Sequence, residues 1–200
     1  MITSIKVFKE VFKPHNLAGR QQELREQMYK TLGQEILKGD LKVEPWMIDL
    51  DPSRVKVRKI DGNLDCRFLD LTSLPVWFQS IEEVTGMFWC HNNLLTSLEG
   101  SPQTVGESFD CSSNQLTSLE GSPQTIRITF WCNNNMLTSL EGSPQTVRGS
   151  FWCSDNQLTS LEGLPKQISK DLWCYNNAKQ FTETDIPKET KIGGKIKFKL

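Results

Sequence analysis

The sequence predicts a solenoid of short repeats built on a parallel β-sheet, with a helix closing its N-terminal end. Three observations lead there. The run L-T-S-L-E-G-S-P-Q-T occurs unchanged at 95–104, 116–125 and 137–146, and a variant, L-T-S-L-E-G-L-P-K-Q, starts at Leu158. The six cysteines Cys66, Cys90, Cys111, Cys132, Cys153 and Cys174 are spaced 24 and then four times 21 residues apart. Each of the later cysteines follows an apolar residue two positions earlier, from Phe88 to Leu172. A fixed period of this length is the mark of stacked units that cannot bury their apolar face alone.

Within one unit, Phe109 and Cys111 lie two residues apart, so in a strand they share one face. Leu116 and Leu119 return to the same interior at a three-residue spacing. The cysteines are therefore expected to point inward as small buried hydrophobes. The spacing contains no C-x-x-C pair of the kind that zinc or redox sites use. The distance between neighbouring strands leaves a disulfide geometrically open. Asn93, Asn114, Asn135, Asn156 and Asn177 follow the strands at a constant offset. There an amide can satisfy the backbone groups that lose their ladder partners as the chain turns. The E-G-S-P-Q-T return combines Gly with Pro and lacks helical periodicity, so a turn or polyproline-like, non-helical back is expected.

The wording F-x-C-x-x-N-x-L-T-S-L-x-G-x-P resembles the leucine-rich-repeat pattern, with Cys in the second leucine slot, over about residues 64–177. It is similar to the short repeats of bacterial secreted effectors and, more closely, to repeat proteins of large tailed phages. That resemblance implies an α/β-horseshoe class with the parallel sheet on its concave face. It also implies a phage-encoded factor that binds a host protein in the host cytoplasm, with a defence component as one such target. Fold likeness alone does not assign function.

The ends follow from the need to cover an open stack. Asn16 is placed to cap a helix over 17–38, with Leu24, Met28, Leu32 and Ile36 on one face. The Asp61-Gly62 pair between strand-like runs predicts a hairpin, with an antiparallel strand at 55–60 closing the first parallel strand. In the longer first unit, Phe78, Ile81 and Val84 are expected inward. The tail from Lys195 to Leu200 alternates basic and apolar residues, as an edge strand does. The resulting partition is a helical cap at 1–54, a solenoid at 55–178 and a C-terminal cap strand at 179–200.

With Phe109 and Cys111 inward, the alternate strand positions face out. The middle one reads Asp65, Trp89, Asp110, Trp131, Trp152 and Trp173, and the next outward one reads Arg67, His91, Ser112, Asn133, Ser154 and Tyr175. These positions differ between units whose return segments are nearly identical. A row of tryptophans about 4.8 Å apart forms an apolar patch of a size that soluble monomers seldom leave unused. The expected partner-binding residues are Trp89, His91, Asp110, Trp131, Trp152, Trp173 and Tyr175. The alternative is that these tryptophans only support the sheet. Trp46 and Trp77 lie outside the register. Glu99, Glu120, Glu141 and Glu162 form a second column, expected as a solvated ridge with Arg127 and Arg148 near it.

Composition narrows the function classes. A net charge of −1 gives no reason to expect nucleic acid or an anionic membrane as the main partner. No apolar run approaches a bilayer span, and the mixed N-terminus lacks the apolar core of a signal peptide, so a soluble cytoplasmic protein is expected. His15 and His91 are the only histidines. His91 and Asp110 could approach diagonally, but no nucleophile accompanies them, so neither an enzyme nor a cofactor or metal is expected. Effector relatives that act as ubiquitin ligases carry a separate catalytic domain with a reactive Cys, and residues 1–60 contain none. The expected function is non-enzymatic protein binding. Carbohydrate binding on an aromatic platform and a structural role in a virion or scaffold are the alternatives.

Overall fold

The computed structural model of the chain describes residues 17–199. One helix, α1 (Leu17–Leu32), is followed by sixteen short strands. They run β1 (Ile36–Lys38), β2 (Leu41–Lys42), β3 (Lys59–Asp61), β4 (Leu64–Asp65), β5 (Glu83–Val84) and β6 (Phe88–Trp89). Next come β7 (Thr104–Val105), β8 (Phe109–Asp110), β9 (Thr125–Ile126), β10 (Phe130–Trp131) and β11 (Thr146–Val147). The last are β12 (Phe151–Trp152), β13 (Gln167–Ile168), β14 (Leu172–Trp173), β15 (Lys191–Ile192) and β16 (Ile196–Lys197). The odd strands form one eight-stranded sheet, here sheet A, and the even strands another, sheet B. Neighbouring strands are parallel throughout, with β10 set between β8 and β12 in sheet B and β11 between β9 and β13 in sheet A. The protein is a parallel β-solenoid whose coils each add one strand to each sheet.

The interior follows the repeat. Val105, Phe109, Cys111, Leu116 and Leu119 are all fully buried, as are their counterparts one coil on, Phe130, Cys132, Leu137 and Leu140. All six cysteines are free and buried. The thiols of Cys111 and Cys132 donate to the carbonyls of Trp131 and Trp152 at 3.3 and 3.2 Å. At the Glu-Gly turn of each compact return, Gly100, Gly121, Gly142 and Gly163 take φ of 81–89°. Glycine reaches that region without steric cost.

The asparagine column does what its offset suggested. Asn135 Oδ1 accepts from Leu116 N at 3.0 Å, and its Nδ2 donates to the carbonyls of Cys111 and Cys132 at 3.1 and 3.2 Å. Asn156 repeats the pattern with Leu137, Cys132 and Cys153. Each amide thus ties its own coil to the one before, through backbone groups and not through neighbouring amides. The residue just ahead is left-handed in every case, from Asn92 at φ 53° to Asn176 at 54°. Asn and Asp tolerate that conformation better than most residues. Replacing Asn135 by Ala strands the buried Leu116 N–H and leaves the carbonyls of Cys111 and Cys132 with one amide donor each in place of two. The expected loss is about 3 kcal/mol, or roughly 6–12 °C in Tm for a chain of this size. Urea denaturation followed by circular dichroism checks it. Gln115→Ala, exposed beside the column, is expected to stay within about 0.5 kcal/mol of wild type.

Several expectations are corrected. Helix α1 stops at Leu32, not at residue 38: Gly33 N closes the last turn on Tyr29 O at 2.8 Å, and the chain then extends into β1. Met28 and Leu32 are buried as expected, but Ile36 is 49% exposed because it points out from β1. Asn16, the expected cap, lies outside the described residues.

The expected antiparallel hairpin does not form. Asp61-Gly62-Asn63 turns a corner from sheet A to sheet B, so β3 pairs in parallel with β1 and β5 and β4 with β2 and β6. The coiling therefore starts at Ile36, inside the segment assigned to the cap, and the tail adds a full two-strand coil in place of one cap strand.

The return segment also carries a second sheet. Its strands are two residues long with one inward side chain each, such as Val105, too short to show alternation in the sequence. The return is otherwise non-helical in the compact coils, as expected. The longer first return holds a short 3-10 turn at Val76–Ser80. Phe78, Ile81 and Val84 are buried there.

Candidate functional site

The outer face of sheet B carries the side chains expected to bind. Strand pairing aligns Lys42, Asp65, Trp89, Asp110, Trp131, Trp152, Trp173 and Lys197 in one row across all eight strands. The four tryptophans in it are half-buried. Trp152 and Trp173 stack with centroids 4.3 Å apart and planes at 4°. Lys197 Nζ sits 4.7 Å from the Trp173 centroid, from the neighbouring strand opposite Trp152. Tyr175 meets Trp173 edge-on at 6.4 Å. Trp173 Nε1 is buried and has no hydrogen-bond partner among the described residues.

The N-terminal half of the face is polar. Arg67 holds Asp65 through two bonds, Nε–Oδ1 and Nη2–Oδ2, both 2.9 Å, and lays its guanidinium 4.8 Å from the Trp89 centroid. Burial works to raise the Asp65 carboxyl, but the bonds and charge of Arg67 outweigh it and hold the group below the ordinary value. Asp110 interrupts the tryptophan row. Its Oδ1 accepts from Ser112 N and Oγ at 2.9 and 2.6 Å. His91 Nε2 lies 3.8 Å from Asp110 Oδ2, so the expected diagonal approach is present.

Phe68, absent from the expected set, stands beside this cluster. It is 67% exposed, takes φ 56°, and meets His91 edge-on at 5.5 Å. Later coils place Asn, Ser or Asp in that left-handed slot, so alignment of the repeats marks Phe68 as the odd residue. A bulky residue held left-handed and exposed is strained without a packing gain. Arg67 was legible as an outward position, whereas Lys197 was read only as part of an edge strand.

Of the two tryptophans outside the register, Trp77 is buried and donates to Met47 O at 2.8 Å, and Trp46 packs partly buried against the core. They belong to the scaffold. The glutamate column is exposed, and each Glu N–H is bonded by the Ser two residues earlier, as Glu99 is by Ser97 Oγ at 3.0 Å. None of the ion pairs among the described residues involves Glu99, Glu120, Glu141, Glu162, Arg127 or Arg148.

No group of three or more His, Cys, Asp or Glu among the described residues could hold a metal ion. Burial pushes every thiol up, Cys174 to about 12 and the other five well above the ordinary value. No helix among the described residues is long and apolar enough to cross a membrane. In comparison with known proteins, no family model, no curated protein and no solved structure matches the chain.

Proposed function

We propose that the chain is a non-enzymatic protein-binding module whose contact surface is the outer face of sheet B. The observation behind this reading is the row of half-buried tryptophans, Trp89, Trp131, Trp152 and Trp173, in register on one face. Large aromatic side chains left half-exposed in one row, three of them on adjacent strands, favour an interface. His91, Asp110 and Tyr175 flank the row and add polar selectivity, and Phe68 and Arg67 extend it. The wording of the repeats resembles the short bacterial and phage leucine-rich repeats. On that resemblance the proposed partner is a host protein in the host cytoplasm.

A sugar-binding platform is the weaker reading. Rings that stack face to face, as Trp152 and Trp173 do, turn their edges and not their faces to a ligand. Sugar rings stack on open faces.

The test is a pull-down from bacterial host lysate with wild type and a Trp131→Asp/Trp152→Asp chain that keeps its circular dichroism spectrum. A defined protein retained by wild type and lost by the variant is the expected result. Each hot-spot tryptophan is worth about 2 kcal/mol or more, so affinity for that protein is expected to fall by at least about 30-fold. Equal capture by both chains would overturn the assignment of the face.

A further inference from the structure

The two ends of the solenoid differ. At the N-terminal end the inward residues of the first coil are covered, with Leu41 and Val43 at 0% and 1% exposure. At the C-terminal end β15 and β16 are the last strands of the two sheets among the described residues. The inward residues there, Ile192, Ile196 and Phe198, remain half-exposed, although their register partners Ile168 and Leu172 are fully buried. Among the described residues, this last coil thus leaves part of its core showing and one edge of each sheet without a strand partner.

The backbone of β16 is set to receive another strand. Leu172 N and Cys174 N donate to the carbonyls of Lys195 and Lys197 at 2.9 and 3.0 Å. Successive residues of a strand direct their amide groups to opposite sides. The groups of Ile196 and Phe198 therefore face the open edge. On the outer side stand Lys195, Lys197 and Lys199, all exposed. Residues 187–199 contain five lysines and one glutamate, a net +4 in a chain whose total is −1.

Lysines on an edge discourage pairing with a like edge. Two copies meeting at β16 would bring their lysine rows together, so a second copy fits poorly. The same lysines favour a strand of opposite charge, because oppositely charged cross-strand neighbours attract. We infer that the open edge of β16 accepts an extended segment of a partner protein in which acidic and apolar residues alternate. Its apolar side chains would cover Ile196 and Phe198, and its carboxylates would pair with Lys195 and Lys199. This is strand addition, in which main-chain hydrogen bonds give affinity and alternate side chains give selectivity. It uses the edge of β16, which adjoins the tryptophan face at Lys197 but leaves Trp131 and Trp152 out of contact.

The probe is a labelled, end-capped heptapeptide of alternating Glu and Val, with a Lys-Val heptapeptide as its control, titrated against the full chain by fluorescence anisotropy. Saturable binding of the Glu-Val peptide is expected, at least about tenfold tighter than the Lys-Val peptide and weakened by salt. Lys195→Glu/Lys199→Glu is expected to weaken it about tenfold or more. Phe198→Pro, which removes one edge N–H without touching the bonds to β14, is expected to do likewise. Trp131→Asp/Trp152→Asp is expected to bind the peptide as wild type does, which separates this surface from the tryptophan face. The inference is overturned by absent binding to wild type or by equal affinity for the Lys-Val peptide. Tighter binding of single-stranded RNA or anionic vesicles, or sedimentation of the chain alone as a dimer that Phe198→Pro abolishes, would also overturn it.

Discussion

At pH 10 under reducing conditions, the chain is expected to be about 8 kcal/mol less stable than at pH 7 and to approach unfolding. The cause is the column of six buried thiols. In the folded chain burial holds them protonated, with values raised well above the ordinary 9.0. In the unfolded chain each ionises near that ordinary value. Above pH 9 the unfolded state therefore binds fewer protons than the folded one, and stability falls as pH rises. One pH unit above the ordinary value, each thiol contributes about 1.4 kcal/mol, and six together about 8. Such a loss is comparable to the whole stability of a typical domain. Urea midpoints measured from pH 7 to 10.5 give the slope directly. A Cys111→Ala/Cys132→Ala chain should show about two-thirds of the wild-type slope, whatever its stability at neutral pH. A wild-type midpoint that does not move up to pH 10 would contradict the buried, protonated column.

Phe130→Ala is expected to cost about 4 kcal/mol. Phe130 is fully buried in a column, 5.3 Å from Phe109 on one side and 5.3 Å from Phe151 on the other. In a solenoid each coil touches only its neighbours, so a cavity here weakens the contacts on both sides of one coil at once. The cavity lies between fixed strands that cannot collapse into it. Ile196→Ala, at the half-exposed C-terminal end, is expected to cost about 1 kcal/mol, because the side chain buries less and borders a single coil. Urea denaturation of the two variants beside wild type measures the difference. Equal losses would mean that the stack does not behave as a one-dimensional array.

Both effects rest on features that the sequence displays openly. The 21-residue period, the inward Phe-x-Cys pair, the bridging asparagines and the outward row of tryptophans all follow from side-chain alternation in a strand. Repetition turns each local pattern into a column. Those inferences hold because a residue's face depends on its own parity and its neighbours, and both are written in the chain. The candidate face was legible for the same reason, down to the approach of His91 to Asp110.

Other features were decided only by tertiary contact. The strands that the compact returns add to sheet A are two residues long, and no local signal distinguishes such a strand from a turn. They exist because Val105, Ile126 and Val147 stack on one another across coils. The Asp61-Gly62 pair suits a hairpin as well as a corner, and the choice fell to parallel pairing of β3 with β1 and β5. Residues 36–38 continue the apolar spacing of α1, yet Gly33 ends the helix and the first coil takes them as a strand. The stacking of Trp152 on Trp173 depends on coils meeting in space, and so do the grip of Arg67 on Trp89 and the exposed left-handed Phe68. The sequence by itself determined which residues face in and which face out. Only the tertiary structure decided which segments pair, because strand pairing is an interaction between distant parts of the chain and local propensity is too weak to choose it.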